Sequence, residues 1–216
     1  MNDQDKPKGL YSWVYNYVVG MPTDILSENG LLILSCFFPE LEDKASKDLE
    51  ECSGLSHEPV FRTLKDLVKK EYLKKKNIGK TNVYEFVLTD ETYLVFVYFM
   101  TNKLNRFKHN NNKVFKIIKE FTGLIESKCA VLFGSYAKGT ETSKSDVDLI
   151  VVSNNKNVLK TASTFKTKYA VTIRPVMISA NDFKNIKKDN IIFYNDMIKY
   201  GIVFDGIEFF FKEVYR

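Results

Sequence analysis

Two histidines, His57 and His109, are all the imidazoles in a chain of 216 residues, too few for a histidine-built metal centre or a Ser-His-Asp relay. Any metal must then be held by carboxylates. The three cysteines, Cys36, Cys52 and Cys129, form no Cys-x-x-Cys pair, which excludes a zinc ribbon and a disulfide framework and predicts buried thiols. No apolar run approaches the roughly 20 residues that a membrane span requires, and the polar start MNDQDKPKG lacks the basic and then apolar character of a secretory signal. An intracellular, cytoplasmic location away from membranes is the expectation. Composition completes the exclusions: at 44% hydrophobic and 14% aromatic, the chain has enough apolar side chain to build cores and is not a low-complexity sequence.

Length favours two modest domains over one large one. Residues 1–23 form an aromatic arm (Leu10, Tyr11, Trp13, Tyr15, Tyr17) ending at Met21-Pro22, a candidate subunit contact. Thr23 or Asp24 can cap a buried helix that runs to Pro39. A short helix from Ser46 to Cys52, closed by Gly54, precedes one opened by Ser56 and carrying Val60, Leu64, Leu67 and Val68 at helical spacing. Residues 72–76 and 83–88 then alternate like strands around Asn77-Ile78-Gly79-Lys80, a hairpin signal. Helical patterning follows to about residue 128, with the asparagine cluster at 110–112 as the expected domain junction. Beyond it strands and helices alternate, the pattern of an α/β module. Phe209, Phe210 and Phe211 read as core or subunit contact.

The stretch DLEECSGLSHEPVFRTLKDLVKKEYLKKKNIGKTNVYEFVLT, residues 48–89, resembles the winged helix-turn-helix of small prokaryotic transcription regulators. The resemblance implies that the helix after Gly54 presents His57, Glu58, Phe61, Arg62 and Lys65 to a DNA groove. Between His57 and Lys80 lie eight basic residues against three acids, a surplus equal to the net charge of +5 on the whole chain. Lys69, Lys75, Lys76 and Lys80 suit phosphate contacts on double-stranded DNA. A solvated hairpin on a protein-binding module is the alternative. Winged helices commonly pair, which implies a homodimer.

A second pattern is longer. Leu132-Phe133-Gly134-Ser135 is followed, after ten intervening residues, by Asp146-Val147-Asp148 and the apolar run Leu149 to Val152. A strand that delivers Gly-Ser into a turn lets backbone N–H groups and a hydroxyl approach phosphate oxygens. Alternation along the next strand directs Asp146 and Asp148 to one face, where they can share Mg²⁺ or Mn²⁺. This spacing resembles the minimal nucleotidyltransferases of the DNA polymerase β superfamily over residues 113–206. The implied site has Gly134 and Ser135 on the triphosphate of an NTP, Asp146 and Asp148 on the metal as catalytic carboxylates, and Lys138 and Lys144 assisting with phosphate charge.

That family usually carries a third carboxylate on the following strand, yet no Asp or Glu occurs between Asp148 and Asp182. Counting back from the helix start at Ser179 puts Arg174 at or near the vacant position, where a cation favours a bound triphosphate over a second metal. Asp182 is better suited to the N-terminus of its own helix. The expectation is therefore an α+β protein with a helix-turn-helix domain at 24–90, a helical linker at 91–112 and a nucleotidyltransferase-fold domain with a small mixed sheet at 113–216. It either transfers a nucleoside monophosphate to a hydroxyl of a small molecule or protein, or is a regulator that only senses nucleotide or mediates assembly.

Overall fold

The computed structural model describes residues 26–89 and 91–216. The aromatic arm and the capping positions Thr23 and Asp24 lie outside them. Helix α1 (Glu28–Ser35) instead starts behind Ser27, whose side chain accepts from the Gly30 N–H. It stops four residues short of the expected Pro39, the residues before a proline being poorly placed for helix. Strand β1 (Lys44–Ala45) leads into α2 (Ser46–Ser53), and Asp48 closes the start of that helix by accepting from the Ala45 N–H at 3.0 Å. Gly54 ends α2 in the left-handed region, φ +70°, as the sequence required.

The amphipathic helix α3 (His57–Lys69) buries Val60, Leu64 and Leu67. It is followed by β2 (Leu73–Ile78) and β3 (Thr81–Phe86). Gly79 at φ +61° allows a two-residue turn, tighter than the four residues expected, so Ile78 pairs with Thr81. β1 adds to the other edge of β3, giving an antiparallel sheet ordered β1-β3-β2.

One departure concerns the cysteines. Cys36, just past α1, and Cys52, in the last turn of α2, are joined in a disulfide with Cα atoms 5.9 Å apart, whereas only Cys129 is a buried free thiol. The two helix ends meet in space, and spacing along the chain does not reveal that.

Helix α4 (Thr92–Asn110) covers the expected linker and packs on α1 on one side and on the C-terminal half on the other. Phe96 shows why: its ring lies 5.5 Å from Phe38, 5.9 Å from Phe210 and 5.3 Å from Phe211. Lys103 adds donations to the carbonyls of Lys199 (3.2 Å) and Gly201 (2.7 Å). After a break at Asn111 come α5 (Asn112–Leu124), β4 (Cys129–Phe133), the one-turn helix α6 (Gly134–Lys138), β5 (Val147–Val152), α7 (Asn157–Tyr169) and β6 (Ile173–Ile178). The chain closes with α8 (Ala180–Asp189), α9 (Ile191–Tyr200), β7 (Ile202–Asp205) and α10 (Ile207–Tyr215).

The second sheet runs β6-β5-β4-β7, with β5 and β6 parallel and the other pairs antiparallel, so it is mixed, as expected. Phe210 and Phe211 of α10 are buried in the core. No helix among the described residues is long and apolar enough to cross a membrane.

Candidate functional site

Strand β4 is apolar throughout (Cys-Ala-Val-Leu-Phe) because the sheet is covered on both faces, and its last residue, Phe133, hands the chain to Gly134 at φ +71°. Both the backbone and its surroundings demand glycine there. A Cβ at position 134 would collide with the Asp148 carboxylate oxygen and lie 3.2 Å from its Cγ. The expected turn is a single helical turn, α6, ended by Gly139 at φ +69°. A second turn, in which Ser145 N–H donates to the Thr142 carbonyl (3.0 Å) and Thr142 N–H to Ser145 Oγ (2.9 Å), sets the entry to β5.

Asp146 precedes β5 and Asp148 is its second residue, so the buried Val147 turns inward while alternation puts both acids on the opposite side of the chain, Asp148 against the Gly134 bend. Asp148 pairs with Phe133 on one neighbouring strand and with Arg174 on the other. Burial pushes the Asp148 carboxyl above the ordinary carboxylate range; the Asp146 charge adds to this and Arg174 opposes it. The Arg174 guanidinium lies 2.7 Å from Asp146 Oδ2, its own side chain 66% exposed against 24% for the aspartate.

The other expected residues are less centred on the pair. Ser135 sits on the first turn of α6, and its carbonyl accepts from Thr140 N–H at 3.0 Å. Lys138 is held by Asp196 of α9 at 2.8 Å and lies over the Tyr200 ring, while Lys144 is exposed. Asp182 caps α8: its Oδ2 accepts from Ser179 Oγ at 2.7 Å and from Ser179 N–H at 3.2 Å. No group of three His, Cys, Asp or Glu side chains able to hold a metal gathers among the described residues.

Two neighbours of the site were not read from sequence. Glu141 has one carboxylate oxygen buried with no hydrogen-bond partner among the described residues. Burial first, then the charges of Glu141 and Asp146, raise the Tyr136 hydroxyl above its ordinary range. Grooves of about 580 Å³, at the far end of β5 around Glu126 and Ser153, and about 560 Å³, between Glu40 and α9, do not border the two aspartates.

On the N-terminal half, α3 leaves His57, Phe61, Arg62, Lys65 and Lys69 exposed along one side, with Phe61 55% accessible. His57 is drawn to Glu50 (2.7 Å) and Arg62 to Glu58 (2.7 Å). On the hairpin Lys75 and Lys80 are exposed, while Lys76 is engaged by Glu85 (2.7 Å) and Asp43 (3.4 Å). Two of the expected DNA contacts, Arg62 and Lys76, therefore stand in ion pairs.

Comparison with known proteins bears on the C-terminal half. The family model described as "Polymerase beta, Nucleotidyltransferase" matches residues 112–205. Three Methanocaldococcus jannaschii proteins named "Putative protein adenylyltransferase" are similar to part of the chain. MJ0604 is 33% identical over 96 residues, 41% of this chain and 94% of that protein. MJ0141 is 29% identical over 103 residues, 42% of this chain and 97% of that protein, and MJ1305 is 31% identical over 88 residues, covering 37% and 59%. No solved structure matches the chain.

Proposed function

Because the chain belongs, through residues 112–205, to the polymerase beta nucleotidyltransferase family, we propose that its C-terminal half binds a nucleoside triphosphate and transfers the nucleoside monophosphate to a protein hydroxyl. One observation carries the reading: Asp146 and Asp148 share a side of the chain, and the bend at Gly134 lies so close to Asp148 that any side chain there would displace its carboxylate. The names of the three relatives favour ATP as donor and a protein as acceptor. In the reaction the hydroxyl oxygen attacks the α-phosphorus, the bond to the departing pyrophosphate breaks, and the hydroxyl proton passes to solvent.

The donor set fits a divalent ion such as Mg²⁺ or Mn²⁺, since it is oxygen-only and the missing Cβ at Gly134 leaves the Asp148 carboxylate open. Asp146 and Asp148 would hold it, and when bound it supplies neutralisation of phosphate charge. The chain's own residues do the positioning. Gly134 and Ser135 bring backbone N–H groups and a hydroxyl to the phosphates, while Lys144 and Arg174 contribute charge. Lys138 would join them on leaving Asp196.

For the N-terminal half we read a winged helix that binds double-stranded DNA. Support comes from the order helix, short strand, helix, turn at Gly54, helix and hairpin, and from the basic surplus along α3 and β2. A second reading, a regulator that binds nucleotide without transferring it, is favoured by the Arg174 to Asp146 ion pair standing where an acid would complete the site.

Incubation with α-³²P-labelled ATP, Mg²⁺ and cell lysate separates the two. Label transfer to protein that is lost in Asp146→Ala and Asp148→Ala supports the transferase. Nucleotide retained by the native chain without transfer supports the sensor, and absence of both refutes the nucleotide-binding proposal.

A further inference from the structure

We infer that the site takes one divalent ion, with Arg174 as the resident cation in place of a second, and that its guanidinium passes from Asp146 to the nucleotide phosphates when that ion arrives. The inference rests on the nucleotidyltransferase reading and specifies its metal stoichiometry.

A pair of divalent ions a few ångströms apart needs carboxylate oxygens that bridge them and further acids that flank them. Asp146 and Asp148 supply only two carboxylates, and among the described residues no third metal-ligating side chain joins them. The residue in register with Asp148 on the adjoining strand is Arg174, and it already lies 2.7 Å from Asp146 Oδ2. The two ligating carboxylates and the guanidinium beside them sum to a single negative charge, and the neighbouring Glu141 is not grouped with them as a ligand, which suits one ion delivered with its polyphosphate better than two.

The nearest acid further along the chain, Asp182, is tied into the α8 cap by Ser179. Lys138 is tied to Asp196. Arg174 is not so confined. It stands on β6, the outermost strand of its sheet, with its side chain 66% exposed and its ion pair among the described residues made to Asp146 alone. With most of that side chain in solvent, moving the guanidinium gives up chiefly its ion pair, and its planar fork matches two phosphate oxygens as well as it matches a carboxylate.

The test is a count. The full chain is titrated with Mn²⁺ in the presence of α,β-methylene-ATP, following bound ion by equilibrium dialysis and electron paramagnetic resonance. The native protein should hold one Mn²⁺ per chain with an uncoupled signal. R174D, which returns an acid to the register position beside Asp148, should hold two, with the broadening of a spin-coupled pair. R174Q should keep one ion and lose about tenfold in nucleotide affinity. Two ions in the native protein, or one in R174D, would overturn the inference while leaving nucleotide binding intact. Failure of the native chain to retain either Mn²⁺ or the analogue would instead remove the proposed function, and this inference with it.

Discussion

Gly134→Ala and Gly139→Ala are a matched pair, and their difference isolates what the bend contributes to the site. Both glycines have positive φ, +71° and +69°, at the two ends of α6. Alanine in that region costs roughly 1–2 kcal/mol, partly offset by a stiffer unfolded chain, so each substitution should lower stability by about 1 kcal/mol. At Gly139 the added methyl meets nothing within 4 Å. At Gly134 it meets the Asp148 carboxylate, with Cγ at 3.2 Å and Cβ at 3.3 Å, and relief requires that side chain to turn away. Loss of one charge-assisted interaction is worth about 1.5–3 kcal/mol, which corresponds to roughly 10- to 100-fold in affinity. Urea denaturation should therefore report similar losses for the two variants. Titration with Mn²⁺ and α,β-methylene-ATP should show weakened binding for Gly134→Ala alone. Native affinity in Gly134→Ala, or equal weakening in Gly139→Ala, would refute the argument that the bend exists to make room for Asp148.

Three further outcomes follow from other parts of the fold. Arg62→Ala and Lys65→Ala, on the exposed side of α3, should each weaken binding to duplex DNA and lower the slope of log affinity against log salt by about one; unchanged slopes would point to a protein-binding role. Phe96→Ala removes a ring that touches Phe38 from the N-terminal half and Phe210 and Phe211 from the C-terminal end, and should cost about 3–5 kcal/mol, read as an earlier urea midpoint for probes in both halves. Burial holds Lys103 at about 8, below its ordinary 10.5, with Glu40 opposing. Between those two values the unfolded chain binds a proton that the folded chain has released, so stability should rise with pH there by about 1–2 kcal/mol once partial exposure is allowed for. Urea midpoints measured from pH 7.5 to 10 should show a steeper rise in the native protein than in Lys103→Met, where Lys119, also lowered by burial, still contributes.

The parts legible in the sequence are those whose cause is local. Gly54 and Gly79 announce left-handed turns, and the Gly-Ser to Asp-x-Asp spacing announces β4, the bend and β5, because each needs only a residue's own backbone or its alternation along one strand. Arg174 belongs to the same class for a subtler reason. Ser179 and Asp182 form a capping box that pins the start of α8, and β6 has no bulge, so counting back from Ser179 reaches the residue opposite Asp148. What stayed hidden depends on which surfaces meet. The two-residue β1 is too short to carry a periodicity, and it exists only because β3 offers Val83 and Tyr84 as partners. Cys36 and Cys52, 16 positions apart, come together through the packing of two helices. Lys138 finds Asp196 on a helix 58 positions away, which removes from the phosphate turn a charge that sequence proximity had assigned to it. The same logic bears on catalysis. If Lys138 remains with Asp196 and Arg174 begins on Asp146, the positive charge that a triphosphate needs is present in the site but held by carboxylates. Binding a nucleotide must then exchange partners rather than fill a vacancy. Asp146 cannot be neutralised without losing a metal ligand, but Asp196 can, so Asp196→Asn should strengthen α,β-methylene-ATP binding, and a weakened affinity would show that Lys138 serves α9 alone.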